Sequence, residues 1–288
     1  MSANILSGTD VSQTIKDDLQ HEVDALVARN QPRPKLVVLL VGNHPASISY
    51  VTKKKQDALA VGFLSEVREL PDTISQSELL AEITRCNEDD TIHGILIQLP
   101  LPKHIDKEAV INHIDPAKDV DGFHPLNVGA FHTDQDAFVP CTPKGILTLL
   151  QSTRVDLAGK HAVVIGRSNI VGKPVALLLL KEDMTVSIAH SKTVNIKELC
   201  LQADVIVAAV GKAAFVQADW VKSGAIVIDV GINRIPLDGG KTKLVGDVDF
   251  DGIKEVASWI TPVPGGVGPM TIASLLENTF KAYKKAQH

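Results

Sequence analysis

Residues 162–174 constrain the fold of this chain more than any other segment. They read AVVIGRSNIVGKP, in which an apolar run breaks at Gly166 and a helix-like segment follows. This arrangement can form a phosphate cradle, because glycine lets the backbone approach an anion and a helix N-terminus offers free N–H groups. The usual glycine fingerprint is incomplete: Ser168 and Val171 occupy the second and third glycine positions, and Gly172 follows one residue late. The segment therefore indicates either a dinucleotide site or a plain strand–turn–helix.

The residues after the next apolar run favour one cofactor. The strand predicted at 185–189 is followed by His190-Ser191-Lys192, where an NAD site usually carries an acidic residue for the ribose hydroxyl. A hydroxyl and a cation there, together with Arg167 in the preceding turn, suit a 2′-phosphate. The sequence therefore predicts NADP as the cofactor, although Arg167 alone could also be a solvated turn residue.

Composition excludes several classes of protein. The chain has 288 residues, of which 44% are hydrophobic and 22% charged, with a net charge of −5. This length allows one large or two modest domains, and the mildly acidic balance argues against a nucleic-acid partner. Three cysteines without paired spacing predict neither a disulfide framework nor a zinc site. Aliphatic runs such as 175–180 are too short for a membrane span, and residues 1–10 do not resemble a secretory signal. We therefore expect a cytoplasmic enzyme without a membrane partner.

Hydrophobic periodicity predicts two α/β lobes. Helices are predicted at 11–26, 46–61, 76–87 and 143–151, and an amphipathic helix is predicted from Pro269 onwards. Strands are predicted at 35–41, 63–70, 93–99, 161–165, 185–189, 204–209, 225–230 and 257–260. This alternation of helices and strands favours parallel sheets.

Several polar residues could carry chemistry. Gln98 lies at the carboxyl end of the predicted strand 93–99, where it either caps a loop or faces a ligand. Tyr50 and Lys54 are four residues apart in a predicted helix, so both can project from one face. The run 53–55 is either a solvated charged face or the setting of a proton-transferring lysine, whose pKa desolvation and neighbouring cations would lower.

Two further motifs remain open on the residues alone. Asp119-Val-Asp121-Gly could be a turn, a metal site with His124, or a carboxylate that binds ligand N–H groups. Cys141-Thr142-Pro favours a helix start with Thr142 as the N-cap and Cys141 as a small buried residue.

Eight motifs occur together and in order along the chain. They are YVTKKK from Tyr50, QLPLP from Gln98, KDVDG from Lys118, CTP from Cys141, GRSNIVG from Gly166, DVGIN from Asp229, GDVD from Gly246 and PVPGGVGPMT from Pro262. With these motifs, essentially the whole chain resembles the bifunctional methylenetetrahydrofolate dehydrogenase/methenyltetrahydrofolate cyclohydrolase family of the bacterial FolD type.

The resemblance implies a site for each ligand. Lys54 is expected to be the acid–base group, with Tyr50 packed on the folate, Gln98 holding the lysine amine and Asp121 receiving the pterin N–H groups without a metal. The residues expected at the folate are Tyr50, Lys54, Gln98, Leu99, Asp121, Pro262, Gly265 and Gly266. Those expected at NADP are Cys141, Thr142, Gly166, Arg167, Ser168, Ile170, Ser191 and Ile232.

The resemblance also implies the architecture and the reaction. It implies a three-layer α/β folate-binding and catalytic domain at 1–140 and 268–288, a Rossmann-type NADP-binding domain at 141–267, and a C-terminal helix that returns to the first lobe. A homodimer through the NADP-binding domain is expected. The implied activity is NADP-dependent oxidation of 5,10-methylenetetrahydrofolate to 5,10-methenyltetrahydrofolate, then hydrolysis to 10-formyltetrahydrofolate. This supports one-carbon supply to purines, formyl-methionine and amino acids, including methionine and histidine. The alternatives are another two-domain NADP dehydrogenase, such as a shikimate-dehydrogenase-like enzyme, and a nucleotide-binding regulator without catalysis.

Overall fold

The computed structural model describes residues 2–236 and 242–287, in which strands and helices alternate. The strands are β1 (Asn4–Ile5), β2 (Lys35–Val41), β3 (Leu64–Leu70), β4 (Gly94–Ile97), β5 (His161–Ile165), β6 (Thr185–Ala189), β7 (Val205–Ala208), β8 (Ile226–Asp229), β9 (Asn233–Pro236), β10 (Thr242–Val245) and β11 (Trp259–Ile260). The helices are α1 (Gly8–Ala28), α2 (Pro45–Ala60), α3 (Gln76–Glu88), α4 (Lys107–His113), α5 (Pro125–His132), α6 (Cys141–Ser152), α7 (Gly172–Lys181), α8 (Ile196–Cys200), α9 (Phe250–Lys254) and α10 (Val267–Ala286), with a 3₁₀ turn at Ala218–Trp220.

The chain divides into two compact units, each built from separate stretches of sequence. The first unit comprises residues 13–141 and 272–287, and the second comprises residues 2–12 and 142–271. The predicted domain ranges differ from these units mainly at the N-terminus, because residues 2–12 group with the second unit. The reason is that β1 pairs with β11, with Asn4 opposite Trp259 and Ile5 opposite Ile260. Residue 141 and residues 268–271 also change sides.

The first unit contains a three-stranded parallel sheet in the order β3-β2-β4. Strand β2 is almost wholly buried, and its alternate residues face different cores. Val37, Leu39 and Val41 pack with side chains of α3 and α4, whereas Leu36, Val38 and Leu40 pack with Val51 of α2 and Leu275 of α10. Helices therefore cover both faces of the sheet, which explains the near-continuous aliphatic run in its sequence.

The second unit contains a six-stranded parallel sheet in the order β1-β11-β8-β7-β5-β6. Its central strands β5, β7 and β8 are buried along almost their whole length. The carboxyl ends of these strands meet at one edge, which is where parallel α/β sheets bind ligands. A separate antiparallel hairpin joins β9 to β10. Within the described ranges, no helix is long and apolar enough to cross a membrane.

Candidate active site

A buried lysine, Lys54, forms the centre of a polar cluster in the first unit. Helix α2 carries Tyr50 and Lys54 one turn apart, and Lys54 Nζ lies 4.5 Å from the centroid of the Tyr50 ring. Lys54 Nζ also donates a hydrogen bond to Gln98 Oε1 at 3.1 Å, although only 5% of the residue is exposed. Gln98 follows β4 and donates its Nε2 to the carbonyl oxygen of Leu99 at 2.7 Å, so its amide is held in one orientation. The structure therefore brings together Tyr50, Lys54, Gln98 and Leu99, as predicted.

Burial lowers the pKa of Lys54 below its ordinary value, because removal from water penalises the charged ammonium. The charges of Asp121 and Cys141 act in the opposite direction but have a smaller effect. Of the two causes expected from the sequence, desolvation operates. Repulsion by neighbouring cations is not among the causes of the lowered pKa: Lys53 and Lys55 are exposed, and Lys53 forms an ion pair with Asp57. A lysine with a lowered pKa can exchange a proton near neutral pH, which suits general acid–base catalysis.

The two carboxylates of the Asp119-Val-Asp121 motif have different environments. Asp119 is buried and accepts hydrogen bonds from the backbone N–H of His124 at 2.8 Å and from Asn127 Nδ2 at 2.9 Å. These contacts make Asp119 a structural residue that holds the start of α5. Asp121 is half-buried and interacts electrostatically with Lys54. Burial raises the pKa of Asp121 above its ordinary value, and Lys54 partly offsets that effect.

The histidine of this motif has a structural role. His124 Nδ1 accepts the backbone N–H of Leu126 at 3.1 Å and so caps α5. In the part of the chain that the structure describes, no group of three or more His, Cys, Asp or Glu side chains is arranged to hold a metal ion. His124 is thus engaged in capping α5, and the binding of ligand N–H groups by Asp121 stays a prediction.

Cys141 belongs to the Lys54 cluster. The residue is buried at the start of α6, and its Sγ donates to the carbonyl oxygen of Val120 at 3.3 Å. The proximity of this thiol also lowers the pKa of Asp121, against the dominant effect of burial. The structure thus places Cys141 beside the Asp121 carboxyl, and its predicted contact with NADP stays a prediction.

An apolar pocket adjoins the same carboxylate. It lies beside β4 and is lined by six apolar side chains and two carboxylates: Ile95, Ile97, Leu99, Ile111, Ile114, Phe123, Asp119 and Asp121. Asp119 is held by the donors at the start of α5, whereas Asp121 has no such contacts to α5 among the described residues. The pocket is much smaller than an ordinary ligand site, so it adds apolar surface beside Asp121 and is not itself a ligand-sized cavity.

The glycine turn of the second unit has the geometry expected of a phosphate cradle. Gly166 follows β5 with φ of +132°, and a Cβ atom there would overlap the carbonyl oxygen of Ala209. Ser168 Oγ accepts the backbone N–H groups of Val171 at 3.1 Å and Gly172 at 3.3 Å, which fixes the turn before α7. A side chain at Gly172 would in turn overlap the Gly166 carbonyl, so the late glycine provides the close strand–helix contact of the usual third glycine.

The predicted 2′-phosphate residues are exposed near this turn and near the end of β6. Arg167 is exposed, and its guanidinium makes no hydrogen bond or ion pair with any described residue. The turn carrying Ser191 is closed by hydrogen bonds from His190 N to Thr193 Oγ1 at 2.8 Å and from Lys192 N to His190 Nδ1 at 3.1 Å. A cation without an internal partner is available to an anionic ligand.

The remaining predicted site residues also lie in the second unit. Ile170 is half-buried in the glycine turn, Ile232 is 63% exposed, and Thr142 shares a hydrogen bond of 3.0 Å with Thr271 through their hydroxyl groups. Pro262, Gly265 and Gly266 lie in the loop before α10, where the carbonyl oxygen of Gly265 accepts the backbone N–H of Thr9 at 3.0 Å.

Two residues that support the Lys54 cluster were not found from the sequence. Lys118 Nζ donates to the carbonyl oxygens of Cys86, Asn87 and Asp89 at 3.1, 2.7 and 2.8 Å, which fixes the loop leading to Asp121. Asn278 of α10 donates its Nδ2 to the carbonyl oxygens of Val120 and Val139, each at 2.9 Å. The Lys118-Asp-Val-Asp motif could have indicated a role for Lys118. Asn278 is a single asparagine in an amphipathic helix, and nothing in the sequence indicated its role.

Comparison with protein families identifies two matching regions. Residues 6–121 match the tetrahydrofolate dehydrogenase/cyclohydrolase catalytic domain, and residues 140–287 match the NAD(P)-binding domain of the same family. The second match includes the whole of α10, whereas the boundary between the two compact units falls within this helix, between residues 271 and 272.

Individual proteins give the same result over the full chain. The bifunctional protein FolD of Bacillus cytotoxicus is 55% identical over 99% of this chain and 98% of its own length. The crystal structure of FolD methylenetetrahydrofolate dehydrogenase/cyclohydrolase from Campylobacter jejuni is 48% identical, with a TM-score of 0.94 over 99% of both chains. The Trypanosoma brucei FolD, crystallised with NADP and an inhibitor, is 40% identical, with a TM-score of 0.96 over 100% of this chain and 99% of its own.

Proposed function

Because this chain belongs to the tetrahydrofolate dehydrogenase/cyclohydrolase family, we propose that the Lys54 cluster is its catalytic centre. The protein is a bifunctional methylenetetrahydrofolate dehydrogenase and methenyltetrahydrofolate cyclohydrolase with NADP as its cofactor. It oxidises 5,10-methylenetetrahydrofolate to the methenyl form and hydrolyses that product to 10-formyltetrahydrofolate. The observation that carries the catalytic assignment is the burial of Lys54 with its Nζ 3.1 Å from Gln98 Oε1.

The second unit fits NADP at the turn after β5. Without a side chain, Gly166 packs closely against the carbonyl oxygen of Ala209, as the tight turn of a phosphate cradle requires, and Arg167 supplies a cation that has no partner among the described residues. NADP, when bound, accepts a hydride from the methylene bridge of the folate. For NADP contacts we propose Cys141, Thr142, Gly166, Arg167, Ser168, Ile170, Ser191 and Ile232.

Lys54 serves the hydrolytic step. Water adds to the electrophilic methenyl carbon and loses one proton, which leaves a hydroxyl group on that carbon. The bond from the carbon to N5 then breaks as N5 is protonated, and the hydroxyl releases its remaining proton to solvent, so that a formyl group stays on N10. A neutral Lys54 amine can accept the first proton, and the resulting ammonium can donate one to N5. The lowered pKa of Lys54 makes both forms accessible near neutral pH.

The other members of the cluster hold the lysine and the folate. Gln98 Oε1 accepts a hydrogen bond from Lys54 and so directs its amine. Tyr50 presents its ring face beside that amine and can stack on the flat part of the folate. Asp121 accepts pterin N–H groups, and Leu99 contributes apolar surface to the adjoining pocket. Pro262, Gly265 and Gly266 complete our proposed set of folate contacts.

A two-phase optical assay tests the catalytic assignment. With methylenetetrahydrofolate and NADP, the parent enzyme should form the methenyl product and then consume it. Lys54→Ala should slow methenyl hydrolysis by about 10²- to 10⁴-fold, the usual contribution of general acid–base catalysis. Lys55→Ala, which removes the exposed neighbouring lysine, is the matched control and should behave like the parent. A folded Lys54→Ala protein that hydrolyses methenyltetrahydrofolate at the parent rate would show that another group transfers the proton.

We also propose a homodimer formed through the second unit. Strand β6 is an edge strand of the six-stranded sheet, and its Thr185 and Ile188 are exposed. Leu180, which ends the aliphatic run of α7, is 58% exposed. Exposed apolar side chains beside an open strand edge are a common basis for association between copies of a chain. Light scattering should give the mass of a dimer, and Ile188→Lys should shift that mass towards the monomer.

We also propose a cellular location and a metabolic role for the enzyme. Cys86, Cys141 and Cys200 are all buried, and none of them forms a disulfide within the described residues; cysteines that stay reduced are usual in a reducing compartment. We propose that the enzyme acts in the cytoplasm and supplies one-carbon units to purine, formyl-methionine and amino-acid synthesis. Growth of a strain lacking this gene, with and without those products in the medium, tests the pathway assignment.

A further inference from the structure

Two buried carboxylates in the second unit take no part in the chemistry described above. Asp229 ends β8 and is 2% exposed, and Asp247 is fully buried. Asp229 Oδ1 accepts the backbone N–H groups of Gly231 at 2.9 Å and Asp247 at 2.8 Å. Its Oδ2 accepts the N–H of Val248 at 3.2 Å. Asp229 therefore ties the end of a central strand to two later segments of the chain.

Asp247 gathers a second set of donors. Its Oδ2 accepts the backbone N–H groups of Val210 at 2.6 Å and Gly211 at 2.8 Å. Its Oδ1 accepts the N–H of Lys212 at 2.9 Å and Asn233 Nδ2 at 2.8 Å. Three successive backbone N–H groups form a concave site for an anion, and here the protein's own carboxylate fills it.

The segments that these carboxylates hold lie at the carboxyl edge of the sheet. The loop 209–212 follows β7, and the carbonyl oxygen of Ala209 is the atom that leaves no room for a side chain at Gly166. The loop 230–233 follows β8 and presents Ile232, which is 63% exposed. Because the Ile232 side chain is exposed, it contributes nothing to the hydrophobic core. Its neighbours Gly231 and Asn233 are nevertheless held in place by hydrogen bonds, and core packing does not explain why.

The local sequence is matched to this arrangement. A Cβ atom at Gly246 would overlap Asp229 Oδ2, so the residue before Asp247 must be glycine. Burial raises the pKa of Asp229 to about 6, and the charge of Asp247 adds to that effect, while backbone hydrogen bonds oppose it. Two neighbouring buried carboxylates are costly unless their hydrogen bonds are complete. Their presence at this edge indicates a requirement beyond stability.

We propose that Asp229 and Asp247 are positioning residues of the NADP site, which hold Ile232 and the loop 209–212 in the conformation that binds the cofactor. The inference rests on the proposed contact of Gly166 and Ile232 with NADP. Asp247 sets the loop beside the glycine turn, and both carboxylates fix the two neighbours of Ile232. Neither carboxylate needs to touch the cofactor, because both are buried and saturated by protein donors.

Two asparagine variants test this role. Asp247→Asn and Asp229→Asn keep the side-chain volume but set an amide NH₂ against backbone N–H donors. We expect the dissociation constant for NADP, measured by titration calorimetry, to rise by about tenfold or more, since hydrogen bonds to a charged group are lost. The Michaelis constant for NADP in the dehydrogenase assay should rise with it. Hydrolysis of preformed methenyltetrahydrofolate needs no NADP and should stay within about twofold of the parent.

Two further variants complete the design. Asp204→Asn is the matched control, because Asp204 accepts the backbone N–H of His161 at 3.0 Å at the opposite, amino end of the same sheet. It should leave NADP binding unchanged. Asn233→Ala is a milder change that keeps both carboxylates and removes one donor to Asp247, and it should weaken NADP binding by about 2- to 12-fold.

The outcomes separate the positioning role from the alternatives. Parent-like NADP binding by the folded asparagine variants and by Asn233→Ala would overturn the inference. A parallel loss of cyclohydrolase activity would also overturn it, because that result indicates a general loss of structure. If the parent protein itself did not bind NADP in the titration, the proposed cofactor site would be refuted, and this result does not depend on any of the variants.

Discussion

Replacing Arg167 with alanine separates recognition of the 2′-phosphate from recognition of the rest of the cofactor. Within the described part of the chain the guanidinium is exposed and has no hydrogen bond or ion pair, so its removal should leave the free protein unchanged. The full cost should therefore appear in the complex. A hydrogen bond to a charged group contributes about 1.5–3 kcal/mol, which corresponds to a loss of roughly 10- to 150-fold in NADP affinity.

The assay compares the two nicotinamide cofactors. NAD carries no 2′-phosphate, so its dissociation constant should change little in Arg167→Ala, and the preference for NADP should collapse. Lys173→Ala is the matched control, since this nearby cation already donates to Asn169 Oδ1 at 2.8 Å. The affinity of the parent for NADP should also fall with rising ionic strength, because the contact is exposed. An unchanged ratio of NADP to NAD affinity in Arg167→Ala would refute the phosphate-binding role.

Three other perturbations test the first unit. Asp121→Ala should weaken folate binding, whereas treating the parent enzyme with a chelator should leave its activity intact. If the chelator abolished that activity and a divalent cation restored it, the ligand-binding role of Asp121 would be contradicted. Lys118→Met should lower the free energy of unfolding, measured in urea, by about 1–3 kcal/mol, because three carbonyl oxygens lose a charged donor. The control is Lys103→Met, which changes an exposed lysine; an equally large effect of that substitution would contradict this explanation. Burial lowers the pKa of His93 in the folded protein, so the unfolded chain binds the proton more tightly. The free energy of unfolding should therefore decrease as the pH is lowered from about 7.5 to about 5.5. His93→Gln should reduce that slope, and an unaltered slope would exclude His93 as its source.

Much of the fold could be predicted from hydrophobic patterns. The long aliphatic runs of β2 and β5 marked strands buried on both faces, and the comparisons confirm the two-domain α/β fold. The elements that were missed are short or polar. Strand β1 has two residues and depends on a partner more than 250 positions away in the chain, and the hairpin of β9 and β10 is largely exposed. Local sequence carries little information about pairings of that kind.

The candidate site shows a similar limit. Spacing along α2 placed Tyr50 and Lys54 on one face, but the residues alone favoured a solvated charged surface for the lysine run at 53–55. The contact with Gln98 joins positions 44 residues apart, and the burial of Lys54 depends on how the first unit packs around it. The resemblance to a family supplied those pairings. The resemblance singled out Asp121 but gave no role to Asp119, whose structural role depends on donors at and just before the start of α5.

The strand β1 and the helix α10 have a consequence for synthesis of the protein. On the ribosome, residues 4 and 5 emerge first, yet their partner strand β11 ends at residue 260. Residues 13–141 likewise emerge long before Leu276 and Phe280 of α10, which share a core with Leu19 and Val23. Neither unit can complete its core until almost the whole chain has been made. Folding therefore finishes late and as a whole, and no single cut of the polypeptide releases an intact unit.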